Sequence, residues 1–245
     1  MHDRYFVETP ITSDHVSLSG PEAHHLINVM RARLGARVVL FDGSGAEFLA
    51  QVETIGRNHV ELGILSREEV DRELPFLLTL GVALPKGERQ KWLVEKAVEL
   101  GVARLAPLKT QWGVAQPVQQ ALERLRRTVI EASKQCGRNR LMEICEPREW
   151  SDFVAETRGE PFRLLAHPNA SRQKNELLRS DEPIKSVLLA VGPEGGFTDK
   201  EVALAVKAGW CTVDLGQRIL RVETAAILLV AMVMQHCFEH WADEN

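Results

Sequence analysis

The chain has 245 residues, enough for one large or two modest domains with a sizeable core. Its 44% hydrophobic and 26% charged fractions are those of an ordinary globular protein. A formal net charge of −4 excludes a protein basic over its whole surface but leaves room for a local basic face. The longest uncharged apolar run, Thr224–Met234, is far short of a bilayer span, and the N-terminal stretch MHDRYFVETP holds no apolar signal core. Cys136, Cys145, Cys211 and Cys237 are scattered without zinc-site spacing. The expectation is a cytoplasmic protein with reduced thiols, no membrane association and no metal.

In chain order, residues 1–72 read mainly as β-structure. Short strands of branched residues are expected at Arg37–Phe41, Glu47–Ile55 and His59–Leu65, separated by the turn sequences DGSG and GRN. One helix is expected near Pro21–Arg31. Closely spaced strands with tight turns predict a small barrel. The charged stretch Arg67–Glu73, followed by Pro75, marks the expected boundary to a second domain, 73–245.

From Phe76 onward the signal alternates. Strands are expected at Leu77–Leu84, Ala103–Leu108, Arg163–His167, Ser186–Val191 and Thr212–Leu215. Helices are expected at Gln90–Gly101, Pro117–Cys136, Ser151–Arg158, Thr198–Ala208 and Thr224–Trp241. Such alternation predicts a mostly parallel α/β sheet with helices on both faces. Thr198 and Glu201 have capping-box spacing.

Two Gly-centred turns stand where α/β proteins bind ligands, each between an expected buried strand and an expected helix: VGPEGGFTDKE (Val191–Glu201) and LGQRILRVETA (Leu215–Ala225). Neither is a GxxxxGK[ST] or GxGxxG loop, which counts against ordinary nucleotide binding. Gly192, Gly195 and Gly196 let the backbone of the first turn lie against a flat ligand, Pro193 stiffens it, and a tight connection into the Thr198 helix is the simpler alternative. In the second turn Leu215, Ile219 and Leu220 offer an apolar wall and Gly216 a backbone donor. Arg218 and Arg221 suit phosphate, a uracil carbonyl or a cofactor carboxylate, or else an ion pair with Glu223. The stretch QCGRN (Gln135–Asn139) ends a helix, with Gly137 as its cap, beside Arg124, Arg126, Arg127, Lys134 and Arg140, a cluster that suits an RNA backbone, with Lys86, Arg89 and Lys91 extending it, or else is only a solvated helix face. His24 and His25 lack a third ligand and are not a metal site.

Taken together, GPEGG, LGxRILRxETA and QCGRN resemble the SPOUT methyltransferases, and within them the bacterial 16S ribosomal RNA uridine-N3-methyltransferase family. LPKGERQKWLVEKAVELGV (Leu84–Val102), LLAHP (Leu164–Pro168) and HHLINVMRARLGARVVLFDG (His24–Gly43) extend the likeness over nearly the whole chain. Val222 departs from the commoner Thr at that place in the second turn. The resemblance implies an N-terminal PUA-like RNA-binding barrel, a C-terminal SPOUT domain with a trefoil knot, and S-adenosylmethionine as cofactor. It also implies a homodimer acting on 16S rRNA within the 30S subunit. The implied cofactor cleft takes in Leu165, His167, Gly192, Pro193, Glu194, Gly195, Gly196, Leu215, Gly216, Ile219, Leu220, Arg221, Thr224 and Ala225. Arg138, Asn139, Arg218, Arg221 and Glu194 are the candidates for the chemistry, and Arg124, Arg127, Lys134, Arg140, Lys86 and Arg89 those for RNA contact. A SPOUT enzyme for another RNA, such as tRNA, and a non-catalytic RNA-binding assembly module are the alternatives.

Overall fold

The computed structural model describes residues 3–114, 118–168 and 184–242. Pro117, the expected start of the long helix, lies outside them. The chain divides into two compact units: Met1–Glu73 with Ile130–Leu141, and Leu74–Val129 with Met142–Asn245.

The first unit is built on β1 (Arg4–Phe6), β2 (His15–Ser19), β3 (Arg37–Phe41), β4 (Ala46–Ile55) and β5 (His59–Glu69), ordered β1-β3-β4-β5-β2 in one sheet. All neighbours are antiparallel except β1 and β3. Register shifts in the β4–β5 ladder, at Leu49/Ala50 and Val52/Thr54, add the local twist that curls a sheet into a half-barrel. The inward set, including Tyr5, Leu18, Leu40, Phe48 and Leu62, packs with Ala23 and Leu26. Strands β1 and β2 carry little β signal in the sequence, the first because it has three residues and the second because it is mostly polar. Strand β5 continues past Leu65 to Glu69, where Glu68 and Arg67 pair with Glu47 and Phe48 and the Arg67 guanidinium lies over the Phe48 ring. Pairing partners, not propensity, extend it. The helix expected near Pro21–Arg31 is α1 (Gly20–His24) followed by a π-helical stretch, His25–Val29.

The second unit is a parallel α/β sheet of β6 (Leu77–Val82), β7 (Arg104–Lys109), β8 (Glu143–Ile144), β10 (Phe162–Ala166), β11 (Ser186–Val191) and β12 (Cys211–Val213). Their order is β12-β10-β11-β6-β7-β8, and the short β9 (Arg148–Glu149) also pairs β7. Strand β11 reads as a continuous apolar run because both its faces are covered. On one face lie α4 (Trp150–Glu156) and α5 (Asp199–Lys207), with Trp150, Phe153, Phe197 and Trp210 forming an aromatic cluster over Leu165, Leu188 and Ala190. The helices α2 (Arg89–Glu99) and α6 (Val222–Ala242) pack on each other, and α6 against β6 and β11. Helix α3 (Gln119–Cys136) gives its residues up to Val129 to this unit and Ile130 onward to the first.

Candidate functional site

Because β6, β10, β11 and β12 run parallel, their carboxyl ends share one edge of the sheet. From β6 the chain moves outward to β7 and β8, whereas β11, β10 and β12 lie on its other side. The order therefore switches between β6 and β11, the place where open α/β sheets leave a ligand crevice. Ala83 N–H donates to Val191 O at 3.0 Å at that point, and His167 N–H to Val213 O at 3.0 Å where β10 and β12 end on the same edge.

The loop after β11 carries the first glycine turn. Gly196 N–H donates to Pro193 O at 2.8 Å, which closes a tight turn with Glu194 and Gly195 at its apex. Gly196 has φ +74, a left-handed conformation that suits glycine, and a Cβ there would meet nothing within 4 Å. A Cβ on Gly192 would come 2.9 Å from the Phe197 ring and 3.1 Å from the Gly196 main chain. The expected capping box then starts α5: Thr198 Oγ1 accepts from Glu201 N–H at 3.2 Å, and Glu201 Oε2 accepts from Thr198 N–H at 2.8 Å. Glu201 Oε1 also accepts from Gln111 N–H at 2.8 Å, so one carboxylate ties the loop after β7 to the start of α5.

The second glycine turn follows β12. Asp214 Oδ1 accepts from Gly216 N–H at 2.8 Å, Gly216 has φ +111, and Ile219 is 98% exposed. Leu215, Leu220 and Ala225 are half-buried, and Arg218, Arg221 and Thr224 are exposed. Glu223, at the start of α6, is only 7% exposed. The ion-pair alternative for Arg218 and Arg221 does not arise, since Glu223 faces Arg89 instead, at 3.7 Å from Nη1. Arg89 Nη2 donates to Glu194 Oε1 at 3.1 Å. One guanidinium thus stands between the apex of the first turn and the start of the helix after the second. Glu223 Oε2 has no hydrogen-bond partner among the described residues, nor has His167 Nδ1, which is also buried.

These features fit S-adenosylmethionine. Open space over Gly196 and Gly216 admits a flat base against main chain, and Glu223 Oε2, which faces Arg89 at 3.7 Å but accepts no hydrogen bond among the described residues, suits a hydroxyl or ammonium donor. Leu165 does not share in this arrangement. Its side chain is in the core under the sheet, and it is in register with Ala190 and Thr212 on either side.

Arg138 and Asn139 belong to the first unit. They are 4% and 2% exposed. Arg138 Nε donates to Glu73 Oε1 at 3.0 Å, and its Nη2 reaches the other carboxylate oxygen. Asn139 donates to Val70 O at 3.2 Å and accepts from Arg4. Arg4 and Arg72 both donate to Glu47 Oε2, at 2.9 and 3.0 Å, and Arg72 also caps Gly137 O at 2.9 Å. Gly137, Arg138 and Asn139 are therefore held by a carboxylate, a carbonyl and two guanidiniums of the first unit.

The basic set divides similarly. Arg124 and Arg127 are exposed and line a groove of about 400 Å³ with Val118, Gln120, Ala121 and Glu123. Lys134 is largely buried, paired with Glu22 at 2.9 Å and Glu131 at 3.3 Å. Arg126 pairs with Glu146 at 3.1 Å. Arg140 and Lys86 remain exposed. Sequence reasoning missed Trp112, which lies against Gly195: a Cβ on that glycine would be 3.1 Å from Trp112 Cε3. A large aromatic between Gln111 and Gly113, just beyond a strand's carboxyl end, was the available signal.

Among the described residues no group of three His, Cys, Asp or Glu is placed to hold a metal, and no helix is long and apolar enough to cross a membrane.

Comparison with known proteins gives the class. A family model described as an RNA methyltransferase domain matches residues 72–234, and one described as an RNA methyltransferase PUA domain matches residues 18–65. A Synechocystis protein named ribosomal RNA small subunit methyltransferase E is 34% identical over 221 residues, 89% of this chain and 72% of that one. Its Rickettsia conorii namesake is 32% identical over 94% of this chain and 91% of its own. A Legionella pneumophila methyltransferase solved with S-adenosylmethionine superposes with a TM-score of 0.87 at 32% identity, over 96% of this chain and 98% of that one. The Neisseria gonorrhoeae ribosomal RNA small subunit methyltransferase E, also bound to S-adenosylmethionine, gives 0.87 at 29% identity over the same shares. The fold and the two matched domains are those of an RNA methyltransferase with a PUA domain. More narrowly, the chain belongs to the ribosomal RNA small subunit methyltransferase E family.

Proposed function

We propose that this protein methylates N3 of a specific uridine in 16S ribosomal RNA, within the 30S subunit, using S-adenosylmethionine. The observation that carries this reading is the first glycine turn at the switch point of the parallel sheet, joined through Arg89 to Glu223 just after the second turn, with Gly196 and Gly216 open to a ligand. We further propose that the first unit, with the PUA match, contacts RNA, and that the second, 74–129 with 142–245, holds the cofactor and the reaction. A trefoil knot through the segment after β12, a homodimer and a cytoplasmic location complete the proposal.

S-adenosylmethionine supplies an electrophilic methyl group on a sulfonium. The protein's task is to expose uracil N3 and favour loss of its proton, and base-modifying enzymes do so by taking the base out of its stack. Arg218 and Arg221, exposed and without ion pairs among the described residues, are the donors proposed for the uracil carbonyls, where negative charge develops. Glu194 is the proposed proton acceptor, held at the turn apex by Arg89. Arg138 and Asn139 are reassigned from the chemistry to holding QCGRN in the first unit, because a buried guanidinium closed on a carboxylate is not available to a base.

Isothermal titration with S-adenosylmethionine, then transfer of labelled methyl to 30S subunits and to tRNA, tests the reading. Binding with label in 30S supports it. Label confined to tRNA transfers the activity to another RNA, and no cofactor binding leaves a non-catalytic RNA-binding module.

A further inference from the structure

The loop after β7 carries an exposed aromatic against the first glycine turn. Trp112 is 51% exposed and packs on Gly195. It lines a recess of about 670 Å³ together with Gln111, Phe197 and residues 198–201, and no residue of the Leu215–Leu220 segment takes part. A second recess of about 440 Å³ shares Gln111, Lys200 and Glu201 with the first and continues past Lys109 and Thr110. Gln111, next to Trp112, is held: Glu201 accepts from its N–H while capping α5, and Trp150 Nε1 donates to Glu201 O at 3.1 Å. A half-exposed indole beside such an anchor is a flat apolar face already oriented before any ligand arrives.

We propose that Trp112 is a stacking platform for a base of the RNA strand that adjoins the methyl-acceptor nucleotide, with the paired recesses as the track of that strand. This rests on the RNA methyltransferase reading above. The acceptor base itself must reach the cofactor between the two glycine turns, and the Trp112 recess contains nothing from the second turn, so its occupant is a neighbour. Bases present a π-face whatever their identity, so an indole holds a neighbouring nucleotide without reading its sequence. Lys200, exposed on the same recess and in no ion pair among the described residues, suits the strand's phosphate, and the Gln111 carboxamide lies at the same wall.

The test uses the full chain with Trp112→Ala and Trp112→Phe. Binding is measured without turnover, using labelled oligouridylate and an oligomer of the same length whose backbone carries no bases. Wild type and Trp112→Phe should prefer oligouridylate by about tenfold, the range of one base–aromatic stack, and Trp112→Ala should lose most of that preference. With 30S subunits, Trp112→Ala should raise KM about tenfold and hold kcat, while S-adenosylmethionine affinity stays within twofold of wild type. Equal base preference in Trp112→Ala and wild type overturns the proposal. So does a loss of cofactor affinity matching the loss for RNA, which would make Trp112 a prop for Gly195, or a shift of sedimentation to a smaller species, which would make it a subunit contact. If wild type methylates no RNA, the functional reading fails, while the comparison of oligouridylate with the baseless backbone still decides the fate of the platform.

Discussion

Arg138 closes on Glu73 with two nitrogens on the two carboxylate oxygens, in a setting where the arginine is almost wholly buried. Removing one partner of such a pair leaves the other charge buried and uncompensated, which costs roughly 3 kcal/mol or more. Arg138→Ala should lower the unfolding free energy obtained from urea titration by about that much and leave S-adenosylmethionine affinity nearly unchanged. A variant as stable as wild type, with kcat collapsed, would return Arg138 to the reacting base.

Arg89 contacts both Glu194 and Glu223, so its loss acts twice. Arg89→Ala frees the first turn and strands the buried Glu223 carboxylate. Cofactor affinity should fall about tenfold, and adding Glu223→Gln should recover part of the lost stability, because the orphaned charge is gone. Thermal midpoints and titration calorimetry on the single and double variants measure this. If instead Arg89→Ala reduces RNA affinity and its salt dependence alone, Arg89 is a phosphate contact.

The three glycines of the first turn should fail differently. Gly196→Val introduces a side chain at φ +74 and fills the open space over the turn, so S-adenosylmethionine binding should vanish, with about 1–2 kcal/mol lost in stability. Gly192→Ala collides with Phe197 and with main chain, so it should destabilise the fold first. Gly195→Ala presses on Trp112, an exposed side chain able to yield, and should be the mildest. Calorimetry beside urea titration separates the three, and a reversed ranking would move the adenosyl site elsewhere.

Acid should loosen the first unit through Glu47. Burial alone would raise its pKa, but hydrogen bonds and charge from Arg72 and Arg4 outweigh that and hold the carboxyl below its ordinary value of 4.5. A depressed carboxylate contributes stability above its unfolded pKa and loses it as pH falls through the folded value. The unfolding midpoint should therefore drop as pH falls below about 4.5, and Glu47→Gln should flatten that part of the profile. An unchanged slope in the variant would assign the acid sensitivity to other groups.

Much of the second unit was legible because apolar runs flanked by glycine turns carry their own signal. Ser186–Val191 was read at its observed bounds, and the Thr198–Glu201 capping box formed as its spacing predicted. What escaped depends on partners distant in sequence. Strand β1 exists because β3 offers it a ladder, and β5 outruns its apolar stretch because β4 does the same. The glycine turns were likewise readable as loops, whereas the partners of Arg138, Arg89 and Lys134 were not. An arginine in a basic run looks free for RNA until the fold brings a carboxylate, Glu73 or Glu194, from 65 or 105 residues away.

Nucleoside analysis of 16S rRNA, from 30S subunits incubated with the protein and isotopically labelled S-adenosylmethionine, tests the central claim most directly. The account predicts one labelled methyl per subunit, recovered as 3-methyluridine, and none with Gly196→Val. Label on a ribose, on another base or at another uracil position would contradict it.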